Sequence, residues 1–92
     1  MPEEPVRRRV IVRGNVQGVF FRDSTREQAT QQGVNGWVSN RSDGAVEVVL
    51  EGPADAVERV LKFLQDGPSR ADVEDVEVSE EEPEGLSSFE VR

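Results

Sequence analysis

The order of secondary-structure signals along these 92 residues predicts an α+β fold, βαββαβ with a short extra strand at the C-terminal end. Three observations carry that expectation. Val46, Val48 and Leu50 alternate with Glu47, Val49 and Glu51, so one face of a strand is apolar and the other at least half polar, as in a sheet covered by helices on one side only. Val57, Val60, Leu61 and Leu64 fall on one face of a helix, bounded by Gly52-Pro53 and Gly67-Pro68. Arg41-Ser42-Asp43-Gly44 separates two strand-like runs, and its Asp-Gly pair favours the positive-φ turn of a hairpin.

Taken in order, the β-branched stretch Val10-Ile11-Val12 behind an arginine run is the first strand, ended by Gly14. Residues 23–32 are good or neutral helix formers with Phe21, Thr25 and Ala29 spaced by four, and Gly33 stands where that helix stops. Residues 34–40 and 45–51 form the hairpin strands, and residues after Pro53 the second helix. Val73, Val76 and Val78 mark a fourth strand among acids, and Leu86, Phe89 and Val91 a short last one. The intervening Glu80-Glu81-Glu82-Pro83-Glu84-Gly85 reads as a solvated loop. The arrangement is the ferredoxin-like sandwich, with two helices on one face of a largely antiparallel sheet. Its length suits a single domain, residues 1–92, with a flexible N-terminus over residues 1–5.

Composition removes whole classes of chemistry. Without Cys or His, the chain lacks the residues for the usual zinc sites, thiolate nucleophiles, disulfides and Ser-His-Asp triads. Catalysis must then come from arginine, amides, carboxylates or water, and no metal centre of the Cys/His kind and no cofactor is expected. No apolar segment follows the charged N-terminus as a leader would, and no apolar run is long enough for a membrane, so the expected location is the cytoplasm. The net charge of -8 lies wholly in residues 72–92, where nine acids face only Arg92. An acidic domain whose third strand offers Val, Leu and Glu is a poor nucleic-acid binder, and nothing in the pattern argues against a monomer.

Chemistry can reside at Gly14-Asn15-Val16-Gln17-Gly18-Val19-Phe20-Phe21-Arg22, which joins a strand to a helix. Two glycines in a short loop can turn successive N–H groups into one concavity, and the following helix N-terminus adds partial positive charge. Arg22 at the mouth of that helix could grip a phosphate through two parallel hydrogen bonds. The ordinary turn role of glycine is the competing reading. No Gly-Lys-Ser/Thr follows, so this is not a nucleotide-hydrolase phosphate loop. Asn40, ending the second strand, either bonds nearby backbone or holds a water through its neutral amide.

At these two segments the sequence resembles the acylphosphatase family. The signature Gly-x-Val-Gln-Gly-Val-x-Phe/Tyr-Arg is present as Gly14, Val16, Gln17, Gly18, Val19, Phe21 and Arg22, and Gly-Trp-Val-x-Asn-x-x-Asp-Gly as Gly36, Trp37, Val38, Asn40, Asp43 and Gly44. Phe89-Glu90-Val91-Arg92 resembles the family's C-terminal strand, so the likeness spans roughly residues 6–92. The resemblance implies hydrolysis of small-molecule acyl phosphates to a carboxylate and inorganic phosphate, with no metal and no covalent intermediate. It also implies that the loop amides of Asn15, Val16, Gln17, Gly18, Val19 and Phe20, with Arg22, hold the phosphoryl oxygens while Asn40 orients the water. Asn15 departs from the family, where that position is commonly basic. A non-catalytic ferredoxin-like module that binds an anion or regulates another protein is the alternative, and Arg22 together with Asn40 speaks against it.

Overall fold

The structure, a computed structural model, describes residues 4–18 and 20–92. It contains β1 (Val6–Asn15), α1 (Phe21–Gln32), β2 (Asn35–Asn40), β3 (Val46–Gly52), α2 (Ala54–Asp66), β4 (Asp72–Glu81) and β5 (Phe89–Val91). Of the flexible N-terminus expected over residues 1–5, residues 1–3 lie outside the described residues, while Glu4 and Pro5 are exposed ahead of β1.

The strands form one sheet in the order β4-β1-β3-β2-β5, antiparallel throughout except where β5 runs parallel to β2. Both helices cover the same face. Val10 and Val12 of β1, Val38 of β2 and Val46, Val48 and Leu50 of β3 meet Phe21 and Ala29 of α1 and Val57, Val60, Leu61 and Leu64 of α2 in one buried cluster. The α2 face is the one its spacing predicts, and α1 buries the Phe21, Thr25 and Ala29 series despite its weak apolar stripe. Thr25 tolerates burial because its hydroxyl donates to the Phe21 carbonyl oxygen at 2.8 Å. This is the ferredoxin-like βαββαβ sandwich with the short additional strand.

Two elements exceed their sequence reading, and for one reason. β1 runs for ten residues instead of the Val10-Ile11-Val12 stretch, and β4 takes in Glu80 and Glu81, which the sequence assigns to a solvated loop. The arginine run and the glutamate run lie on adjacent antiparallel strands, in the register Arg7 to Glu81 and Arg8 to Glu80. Arg8 pairs with Glu80 at 3.4 Å and Arg13 with Glu77 at 2.9 Å, so charge that would repel within either strand is neutralised between them.

The other face of the sheet carries a polar layer at whose centre Arg7 and Glu51 are each only 4% exposed. Arg7 donates to Glu51 at 2.7 Å and to Glu81 at 2.8 Å, and Arg9 donates to Glu81 at 2.7 Å and also pairs with Glu47. Glu51 further accepts the N–H groups of Glu84, Gly85 and Leu86 at 2.8–3.1 Å, pinning the β4–β5 connection that leads to β5. Burial pushes the Glu51 carboxyl up, but the Glu84 N–H, the Arg7 guanidinium and the N–H groups of Leu86 and Gly85 outweigh it and hold the group below its ordinary value. Hydrogen bonds from Arg9 and then Arg7 bring Glu81 down to about 2. Trp37 lies half-buried on this face, with the guanidinium of Arg9 5.6 Å and that of Arg92 4.7 Å from its ring centre.

Candidate active site

The segment joining β1 to α1 starts at Gly14, where β1 shifts register against β4. Gly14 has φ 132°, and a Cβ there would stand 2.1 Å from the Asp72 carbonyl oxygen, so only glycine lets the chain leave the sheet at this point. Val16 then inserts fully into the core. Gly18 is exposed with φ 75°, and a Cβ on it would meet nothing within 4 Å; its requirement is conformational, and it leaves open space above the loop. Phe20 is also left-handed, with φ 60° and ψ 22°, and Phe21 returns to the core as the first residue of α1.

Phe20 occupies the N-cap of α1 and has no side-chain oxygen with which to cap it. Among the described residues, no hydrogen bond is donated by the main-chain N–H of Gln17, Gly18, Phe20, Phe21 or Arg22. Loop and helix end thus present unpaired donors with the positive end of a helix dipole behind them, the arrangement that binds oxyanions.

Above the loop lies a cleft of about 260 Å³ lined by Val16, Gly18, Phe20, Phe21, Arg22, Asp23 and Asn40. The fold brings Arg22, from the first turn of α1, and Asn40, from the end of β2, to the same opening. One nitrogen of the Arg22 guanidinium, Nη1, donates to the main-chain oxygen of Arg92 at 2.7 Å. Arg92 in turn is fixed by its N–H to the Val38 carbonyl oxygen at 2.8 Å, so β5 steadies the arginine while most of its fork stays available. The Asn40 carboxamide is exposed and makes no hydrogen bond among the described residues. The hairpin beyond it is held by Asp43, whose carboxylate accepts the Ala45 N–H at 3.1 Å and Arg41 Nε at 3.2 Å. Those bonds, the backbone one first, lower its pKa. Among the described residues no group of three or more Asp and Glu side chains has the spacing to hold a metal ion.

Of the predicted cradle residues, Val16, Gly18, Phe20 and Arg22 line the cleft with Asn40, whereas Asn15 and Gln17 do not. Val19 lies outside the described residues. Asn15 is the exposed last residue of β1, paired in register with Asp72. Gln17 has a role the sequence reading missed: its Nε2 donates to the carbonyl oxygens of Arg41 at 2.7 Å and Ala45 at 2.9 Å. The amide ties the loop to the hairpin that carries Asn40. A long amide set between Val16 and Gly18, in the mostly glycine and apolar stretch after Asn15, was the only available signal. The contact of Arg22 with Arg92 had none, because it depends on where β5 joins the sheet.

Around one cleft of a ferredoxin-like sandwich the fold thus gathers an uncapped helix end, an arginine and a carboxamide, a set of donors of the kind that suits an oxyanion. The chain belongs to the acylphosphatase family, whose model matches residues 8–91. It is similar to an acylphosphatase of Haloarcula marismortui, 56% identical over 94% of each chain, and to one of Pyrobaculum arsenaticum, 58% identical over 89% of this chain and 87% of the relative. A solved acylphosphatase structure from Coxiella burnetii superposes with a TM-score of 0.92 at 40% identity, over 97% of this chain and 94% of that one. Acylphosphatases are hydrolases, and the hydrolysis of acyl phosphates is the activity that this membership gives the chain. Among the described residues no helix is long and apolar enough to cross a membrane.

Proposed function

We propose that the cleft hydrolyses the acyl phosphate without a metal or a covalent intermediate, the phosphoryl group held by the loop amides and Arg22 and the water oriented by Asn40. The observation that supports this reading is the meeting of Arg22 and Asn40 at one cleft, above N–H groups left unpaired by loop and helix. Phosphoryl transfer asks mainly for positioning and for donors aimed at the equatorial oxygens, which this set can supply. The phosphorus–oxygen bond to the acyl group breaks as the water oxygen bonds to phosphorus, and the bond electrons leave on a carboxylate. A carboxylate titrates near pH 4 and is stable as an anion at neutral pH, so departure needs no general acid.

The proton of the attacking water passes to a phosphate oxygen of the substrate, giving dihydrogen phosphate. Asp23 is the one carboxylate among the described residues that line the cleft, and it could take the proton instead. In that case Asp23→Asn abolishes turnover with phosphate affinity intact; under substrate assistance turnover stays near normal. We further propose that residues 1–92 act as one domain, as a monomer in the cytoplasm, with a small-molecule substrate.

The test is phosphate release from benzoyl phosphate with a chelator present, for the wild type, Arg22→Ala and Asn40→Ala. Losing one preorganised donor costs about 2.7–4 kcal/mol, roughly 100- to 1000-fold in kcat. Chelator-resistant turnover reduced by that order in both variants supports the assigned roles. Turnover that a chelator abolishes, or that either variant retains in full, contradicts them.

A further inference from the structure

Phe20 is the most exposed large apolar residue among those described, with 69% of its surface open to solvent, while its neighbour Phe21 is 1% exposed. Its backbone is the only left-handed one among the described non-glycine residues. A phenylalanine there opposes local preference twice, because Cβ crowds the left-handed backbone and the ring stays in water. It also forgoes the capping bond that Asn, Asp or Ser would make at the start of α1. No packing inside the protein compensates, since Phe20 lies outside the buried cluster. A local conflict of this kind at a cleft points to a role in binding.

Phe20 borders the same opening as Arg22 and Asn40. With the phosphoryl group seated on the loop, the acyl group must extend from the cradle toward solvent, past the rim. The other large exposed apolar residue, Val78, lies on β4 beside α2 and lines a separate groove, so it takes no part. We infer that the Phe20 ring is an acyl-group subsite that stacks on flat, aromatic acyl groups and so favours aromatic over short aliphatic acyl phosphates. The inference rests on the proposed function and adds the substrate class.

The experiment compares kcat/KM for benzoyl phosphate and acetyl phosphate in the wild type, Phe20→Ala, Phe20→Gly and Phe20→Tyr. The readout is the benzoyl-to-acetyl ratio, in which intrinsic reactivity and any change in the loop backbone common to both substrates cancel. Loss of an aromatic pair lowers the ratio by about 2- to 12-fold in the Ala and Gly variants, while Tyr keeps it near the wild-type value. Glycine accepts a φ of 60° without strain, so that variant keeps the fold if alanine does not. A ratio unchanged in Ala and Gly, even with both rates reduced, overturns the inference and leaves the proposed function standing. Failure of the wild type to turn over either substrate overturns both.

Discussion

Gln17→Ala separates the assembly of the site from its chemistry. The substitution removes two hydrogen bonds, to the carbonyl oxygens of Arg41 and Ala45, which tie the loop to the hairpin bearing Asn40. Neither oxygen is orphaned, because Arg41 keeps the Gly44 N–H at 3.2 Å and Ala45 keeps the Arg41 N–H at 2.8 Å. With no desolvation penalty left behind, the cost is the net value of the two bonds, about 1–2 kcal/mol in total. In a domain of this size that lowers Tm by roughly 5–15 °C. The kinetic effect is larger than the stability loss alone implies. The loop and Asn40 come from separate elements, and a misplacement of about 1 Å between reacting groups costs on the order of 100-fold. The expected result, measured well below the lowered Tm, is a fall in kcat of about 10- to 100-fold with a smaller change in the inhibition constant of inorganic phosphate. A lowered Tm with kcat within twofold of the wild type would refute the positioning role.

The buried ion pair sets the acid limit of stability. Glu51 and Glu81 titrate below their ordinary value of 4.5 in the folded state, Glu81 at about 2, so the unfolded chain binds more protons in acid. Their contribution is complete above about pH 5 and disappears as pH falls through the folded values toward 2, which urea midpoints at stepped pH can follow. Glu51→Gln should cost about 3 kcal/mol, at the lower end for a broken buried pair because Arg7 retains Glu81, and should flatten the acid arm of the stability curve. An unchanged acid arm would show that Glu51 is not the controlling group. Asn15→Arg adds a positive charge next to Val16 of the cleft and should lower KM severalfold at low salt with kcat unchanged. An unchanged KM would mean that this side chain points away from the substrate.

Local pattern made most of the fold legible. The alternation of residues 45–51 and the spacing of Val57 to Leu64 each follow from one face meeting one core, and both elements formed where expected. The lengths of β1 and β4 were not legible, because Arg7 to Arg9 and Glu80 to Glu81 look like solvated charge until the register sets them side by side. The site divides in the same way. Spacing alone left Arg22 and Asn40 open to ordinary turn roles; it was the resemblance to the family's two motifs that pointed to them, and the structure places both at one cleft. The side-chain bridge of Gln17 and the hold of Arg92 on Arg22 depend on long-range placement, to which spacing is blind, and the left-handed backbone of Phe20 runs against the local preference of its residue type.

Hydrolysis in ¹⁸O-enriched water tests most directly whether the cleft directs water to phosphorus. With the phosphoryl group in the cradle and the water held by Asn40, single-turnover hydrolysis of benzoyl phosphate should place the label in inorganic phosphate and none in benzoate. Label in benzoate would mean attack at the acyl carbon, with the roles of Arg22 and Asn40 wrongly assigned.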